Sequence, residues 1–162
     1  MAYVINDNMV GWQAIADLST VQKHPFGTIV RAVDATLGGG EFIYLKGVTG
    51  TAVGSWVTYN SLDWTTTLLV ANAIGPVAIA MSINDAATNF GWYQIQGKAI
   101  GIATTVSTVA DNAVLYSTAT GGVIDDVVVS GDLIYGAKAA AAASAGLIQV
   151  EITRPYVNDQ TT

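Results

Sequence analysis

The sequence contains no cysteine and only one histidine, His24, among its 162 residues. The lack of cysteine excludes disulfide bonds and thiolate metal sites, so the chain can fold in a reducing compartment. A metal site built on several histidines is excluded in the same way. The aspartates are scattered without the spacing of metal ligands, so the sequence predicts neither a metal nor a cofactor.

Charge is scarce as well. Asp, Glu, Lys and Arg make up 11% of the chain, whereas an average soluble domain has roughly 25%. The apolar fraction is 51%, and much of it is Ala, Val and Ile. The contact faces of obligate oligomers are depleted in charge, so we expect an assembled protein rather than a monomer.

The distribution of charge argues against a nucleic-acid partner, and the short apolar runs argue against a membrane-spanning helix. The net charge is −6, and the six Lys and Arg residues are scattered singly, so the sequence shows no basic stripe that could neutralise phosphates. The most apolar window, TLLVANAIGPVAIAM, is interrupted by Asn72, Gly75 and Pro76. It falls short of the ~20 residues of a membrane-spanning helix. The N-terminus has no signal-peptide pattern, so we expect synthesis in the cytoplasm.

The first 25 residues differ from the rest and predict an N-terminal arm. Met9, Trp12, Ile15 and Leu18 recur at every third position, which suits a short amphipathic helix. An extended arm explains the same residues equally well. Pro25 disfavours helical backbone at the preceding residue and marks the boundary of the arm.

From Phe26 onward, short stretches rich in Val, Ile, Thr and Tyr alternate with Gly, Asn, Asp and Ser. This pattern predicts an all-β fold, a compact β-sandwich or barrel with an extended N-terminal arm. The domains expected are the arm (residues 1–25), a β-rich domain (residues 26–157) and a C-terminal tail (residues 158–162).

The last strand has the clearest alternation. Ile148, Val150 and Ile152 are expected on one face, and Pro155 is expected to end the ladder because it has no N–H to donate. The alanine-rich segment 137–145 precedes this strand. Alanine favours a helix, while the flanking glycines suit a hairpin excursion equally well.

No catalytic arrangement emerges from the sequence, so we expect a protein that is not an enzyme. Asp125 and Asp126 are adjacent carboxylates, but neighbours in a strand face opposite sides, so a turn or strand edge is expected for them. Ser144 lies in AASAG, which lacks the first glycine of a nucleophile elbow. The glycine clusters lack the Lys-Ser/Thr of a phosphate loop and predict tight turns.

The stretch NFGWYQIQGKAIGIA, residues 89–103, has an aromatic pair, side-chain amides and three glycines, but no Asp, Glu, His, Cys or Ser. Alternation places Trp92, Gln94 and Gln96 on one face, where they could stack on and hydrogen-bond a sugar. The favoured interpretation is that the stretch is structural and binds no ligand. In this interpretation, Trp92 and Tyr93 cover the edge of the core or a subunit contact.

Several motifs resemble those of a known family. QKHPFGTIVRAVD, GGGEFIYLKGV, GPVAIAMS, GWYQIQGKA, LYSTATGGVIDD and the closing ITRPYV together cover residues 22–157. They resemble the capsid decoration (cement) proteins of tailed bacteriophages. The resemblance implies a homotrimer, or a dimer, on the outer surface of the virion. There it would bridge neighbouring major capsid protein subunits and stabilise the DNA-filled icosahedral head.

The resemblance brings no catalytic, cofactor-binding or metal-binding residue with it. The alternative function is a surface adhesin or head-fibre-type module that binds host glycans through exposed tryptophans. For the decoration function, the aromatic and apolar residues of the arm and of the aromatic pair are the interface candidates: Tyr3, Met9, Trp12, Ile15, Phe26, Trp92 and Tyr93.

Overall fold

The computed structural model describes residues 3–5, 11–106 and 108–159. Within these residues the chain forms eleven β-strands and no helix, so the all-β prediction is confirmed. The strands are β1 (Val4–Ile5), β2 (Ile29–Asp34), β3 (Gly38–Lys46), β4 (Trp56–Tyr59), β5 (Thr66–Leu68), β6 (Gly75–Ala80), β7 (Phe90–Ile102), β8 (Val114–Ser117), β9 (Ile124–Asp125), β10 (Leu133–Ala139) and β11 (Leu147–Val157).

All described strands belong to one antiparallel sheet that is not closed into a barrel. Its order is β1-β2-β3-β7-β6-β11-β10-β8-β9, with β4 joining β6 to β5. The two longest strands organise it. β7 pairs with β3, β6 and β11, while β11 pairs with β7, β6 and β10.

The sheet buries residues from both of its faces. Trp92 and Tyr93 are neighbours on β7 and point to opposite sides, yet each is fully buried. Trp92 packs in a cluster with Tyr44 and Phe42. Tyr93 packs in a second cluster with Ile43, Leu45 and others, and a third, larger cluster surrounds Trp56. The aromatic pair of residues 89–103 therefore lies inside the subunit, whereas Lys98 of the same stretch is exposed.

Strand β11 confirms the predicted alternation only in its first half. Ile148, Val150 and Ile152 are buried together. A bulge follows, where Arg154 has a φ of 43° and the register with β10 shifts. The prediction that the ladder ends at Pro155 is wrong, since β11 continues to Val157. Proline is tolerated in a sheet at a bulge, where its missing N–H removes no ladder bond.

The described part of the N-terminal segment lies on the sheet of its own chain. Val4–Ile5 pair with Ala32 and Val33 of β2, and Ser19 bridges to Phe90. Residues 11–25 contain turns and a bridge but no helix, so the extended alternative applies to them. Met9 lies outside the described residues.

The alanine-rich segment is a hairpin excursion rather than a helix. Strand β10 runs through Ala139, and the chain then turns back into β11 with a bridge between Ser144 and Leu147. Ala145 and Gly146 both have positive φ, at 52° and 76°. Two successive left-handed residues reverse the chain in a way that a helix cannot.

Candidate functional site

The groups considered for catalysis occupy separate places. Ser144 is an exposed residue of the β10–β11 turn. His24 is half-buried, and its Nε2 accepts the backbone N–H of Gln13 at 3.1 Å. No hydrogen bond joins the serine to the histidine within the described ranges. Those residues also contain no group of three or more His, Asp or Glu placed to share a metal ion.

The adjacent carboxylates lie at the end of β9, as the turn interpretation expects, and each accepts a backbone hydrogen bond. Asp125 ends β9 and its Oδ1 accepts the N–H of Val127 at 3.1 Å. Asp126 lies in the following bend, and its Oδ2 accepts the N–H of Ala110 at 3.0 Å. Burial raises the pKa of Asp125, and the nearby carboxylate of Asp126 raises it further.

The predicted interface residues are placed mostly inside the chain. Trp92 and Tyr93 have no exposed surface, Ile15 is 1% exposed and Tyr3 is 9% exposed. These four side chains pack within the subunit, which corrects the expectation that they face a partner. Trp12 and Phe26 are half-buried, and their role in an interface stays a prediction.

An aromatic cluster joins the N-terminal segment to β3 and β7. The His24 ring lies 4.9 Å from Trp12 and 5.3 Å from Trp92, and its edge meets Tyr44 at 5.1 Å. Phe26 and Phe90 extend the cluster, with ring centroids 5.6 Å apart. Burial first, and then the nearby Lys23 ammonium, lower the pKa of His24.

Gln13 makes the polar contacts within this aromatic cluster. Its backbone carbonyl accepts the indole N–H of Trp92 at 2.9 Å, and its Oε1 accepts the hydroxyl of Tyr44 at 3.2 Å. Its Nε2 donates to the carbonyl of Asp17 at 2.7 Å. Because the indole and hydroxyl are buried, these bonds specify where the segment sits.

The sugar-binding alternative required Trp92, Gln94 and Gln96 at the surface. Gln94 is fully buried; it accepts the Tyr3 hydroxyl and donates to the carbonyls of Gln96 and Lys98. Trp56 is fully buried too, and the remaining tryptophans, Trp12 and Trp64, are half-buried. The described chain therefore exposes no open tryptophan platform.

The side of the sheet opposite the aromatic cluster presents a candidate contact surface, which we call the outer face. Residues directly opposite in neighbouring strands share a face, so the pairing register of β2, β3, β7, β11 and β10 places most of its members together. Arg154, at the bulge, joins them through its ion pair with Glu41. The outer face consists of Arg31, Glu41, Gln96, Lys98, Tyr135, Lys138, Glu151, Thr153, Arg154 and Tyr156.

A stacked tyrosine pair forms one end of the outer face. The rings of Tyr135 and Tyr156 are parallel within 11°, with centroids 5.0 Å apart, and the residues are 38% and 48% exposed. The bulge creates this exposure. Gly136, with a φ of 73°, and Arg154 shift the alternation, so that Pro155 and not Tyr156 is buried.

An ion-pair network fixes the centre of the outer face. Glu41 binds Arg154 at 2.7 Å through one carboxylate oxygen and Arg31 at 3.3 Å through the other. The Glu41 side chain is only 13% exposed, whereas both arginine side chains are well exposed. A nearly buried carboxylate therefore holds two exposed guanidinium groups from β2 and β11 in place.

A lysine row completes the outer face. Lys98, Glu151 and Lys138 lie opposite one another on β7, β11 and β10, and Lys138 contacts Glu151 at 3.4 Å. Two shallow hollows flank the row. One of about 310 Å³ is lined by Arg31, Glu41, Gln96 and nearby glycines, and one of about 390 Å³ lies beside Gly136.

No protein-family model matches the chain, and no curated protein sequence matches it. The assignment of a function therefore depends on the residues of the structure and on the motifs that they carry. The part of the chain that the structure describes contains no helix that could span a membrane.

The outer face was not predicted from the sequence. Strict alternation along β11 puts position 156 on the buried side with Ile148 and Val150, and only the bulge at Arg154 reverses it. A signal was present in the ITRPYV motif, because proline within a strand marks an edge or a bulge. The pairing of Arg31 with the distant Arg154 through Glu41 has no local sequence signal.

Proposed function

We propose that this chain is a structural capsid decoration (cement) protein. It binds the outside of an icosahedral phage head, bridges neighbouring major capsid protein subunits and stabilises the DNA-filled shell. It acts as a homo-oligomer, a trimer in the favoured form, and performs no catalysis. The motifs of residues 22–157 that resemble this family support the proposal.

The outer face is the observation that carries the proposal. It combines exposed tyrosines with exposed arginines, the residue types that dominate the energetics of protein contacts. The arginines are held by Glu41, so little side-chain freedom is lost when a partner binds. A sheet that carries such a surface suits a protein whose task is to hold other proteins together.

Repetition explains how modest contacts would make a durable cement. A homo-oligomer makes several contacts with the shell at once, and each further contact forms at a high effective concentration. Single contacts of ordinary strength then give attachment that is lost only when several are broken together. This is the property that resistance to the pressure of packaged DNA requires.

Heat release of DNA from filled heads tests the proposal. We expect heads that carry the protein to rupture at a higher temperature than heads prepared without it. Tyr156→Ala should reduce this shift, because it removes an exposed ring from the outer face. Leu62→Ala is the matched control, since Leu62 is 89% exposed on another part of the chain. Equal rupture temperatures with and without the protein would contradict the cementing function.

A further inference from the structure

The charges of the chain are segregated between the outer face and the rest of the molecule. Four of its six basic residues lie on the outer face with only two acidic residues, a net charge of +2. The rest of the chain contains Lys23, Lys46 and ten acidic residues, which gives it a net charge of −8. The two values together give the −6 of the whole chain. The outer face is thus a basic surface on an acidic protein.

Three of these ten acidic residues lie together at the β8–β9 edge of the sheet. No Lys or Arg occurs between Lys98 and Lys138, a span that contains four aspartates. Asp126 binds the backbone of Ala110, which brings it close to Asp111 and Asp125. We call these three aspartates, together with the exposed valines that follow them, the acidic end; its residues are Asp111, Asp125, Asp126, Val127, Val128 and Val129.

The acidic end also carries an apolar element. Val127, Val128 and Val129 are 54%, 77% and 43% exposed, in consecutive positions between β9 and β10. Three adjacent exposed valines are unusual on a surface that meets only water. Their counterparts on the outer face are the Tyr135–Tyr156 pair and the hollow beside Gly136.

We propose that the outer face of one copy binds the acidic end of a second copy. Lys138 and Arg154 meet the aspartates, and the tyrosine pair receives the valines. The inference rests on the proposed function, in which the outer face is an assembly surface, and it names the occupant of that surface. Two outer faces would repel one another because both are basic, so the contact joins unlike surfaces.

The strand order gives each copy both contact surfaces. Strand β10, which supplies Tyr135 and Lys138, pairs directly with β8, so the acidic end lies beside the β10 side of the outer face. A contact between two different surfaces uses one of each per copy and repeats from copy to copy. If the rotation closes, the product is a ring, which is the arrangement that a cyclic trimer requires.

Charge reversal with rescue tests the contact. The molar mass of the purified full chain is measured by light scattering across a concentration series. We expect Lys138→Glu and Asp111→Lys each to weaken association about tenfold, because each replaces an attraction by a repulsion. The double variant should recover most of the loss. Lys23→Glu is the matched control, with the same change of charge outside both surfaces, and should associate like the unaltered chain.

Salt supplies a second measurement on the same samples. Association should be weaker at about 500 mM than at about 50 mM salt, because exposed charge pairs are screened. A chain that is monomeric at all concentrations, an oligomer that ignores both reversals, or an equal effect of Lys23→Glu would each overturn the inference. Association that needs added DNA would overturn it as well.

The outcomes also separate this inference from the proposed function. If the unaltered chain is monomeric in solution but raises the rupture temperature of filled heads, the cementing function stands and the head-to-tail contact is wrong. If it forms the salt-sensitive oligomer but leaves the rupture temperature unchanged, the contact stands and the cementing function is wrong. Thermal unfolding of each variant confirms that a loss of association does not reflect a loss of folding.

Discussion

At the residue scale, His24 gives the structure a dependence on pH. Its neutral Nε2 accepts the N–H of Gln13, a bond that a protonated imidazole cannot make. Burial and Lys23 lower its pKa below 6.5. The unfolded chain therefore binds the proton more readily, so stability is complete above about pH 6.5 and falls as the pH drops through the folded pKa.

We expect the proton NMR titration of this one histidine to give a midpoint below 6.5 in the folded chain. The thermal midpoint of the unaltered chain should fall between about pH 7 and about pH 5.5, and part of this fall is due to His24. In His24→Gln that part should be absent. A titration midpoint at or above 6.5 would contradict this explanation. The aspartates also make the thermal midpoint depend on pH, and this contribution is the same in the unaltered chain and in His24→Gln.

Gly97 illustrates a backbone requirement at a single position of β7. Its φ is 100°, and a Cβ placed there would collide with the carbonyl oxygen of Gly39 on β3. We expect Gly97→Ala to lower the free energy of unfolding by about 2 kcal/mol or more, measured by urea denaturation. Gly39→Ala is the control, because a Cβ there meets no atom within 4 Å. Equal losses in the two variants would show that crowding at β3 is not the cause.

At the element scale, the N-terminal segment acts as part of the core. Tyr3 and Ile15 belong to the cluster that contains Trp92, and burial raises the pKa of the Tyr3 hydroxyl to about 12. Removing residues 1–23 would uncover this cluster. We therefore expect marked destabilisation of the chain without this segment.

We expect deletion of residues 1–23 to lower the free energy of unfolding by at least about 4 kcal/mol, since two largely buried side chains are lost at about 2 kcal/mol each. Ile15→Ala alone should cost about 2–4 kcal/mol. Leu18→Ala, at a residue 45% exposed in the same segment, should cost less than about 1 kcal/mol. A deletion variant as stable as the full chain would show that the segment is dispensable for folding.

At the scale of the whole molecule, the order of the strands governs folding. β7 pairs with β3 and with the final strand β11, so the centre of the sheet joins segments far apart in sequence. We expect refolding in roughly milliseconds to seconds, because such topologies close long loops before their contacts form. Stopped-flow tryptophan fluorescence follows it, since Trp56 and Trp92 become fully buried. Complete recovery within microseconds would contradict the expectation.

Local composition was sufficient for the fold class and for several elements. Strands rich in β-branched residues and separated by turn residues predict an all-β chain, and the alternation of Ile148, Val150 and Ile152 identifies a buried face. The same local information left the alanine-rich segment undecided between helix and hairpin. Propensity cannot choose there, because the flanking pairing of β10 with β11 decides it.

The outer face and the burial of the aromatic pair needed the tertiary structure. A bulge at Arg154 changes which side Tyr156 occupies, and separate clusters on the two faces of the sheet bury Trp92 and Tyr93. Four basic residues that look scattered along the chain meet on one face because distant strands pair in one register. Alternation is a local property of a strand, whereas register, bending and bulges arise from pairing between segments that the linear order keeps apart.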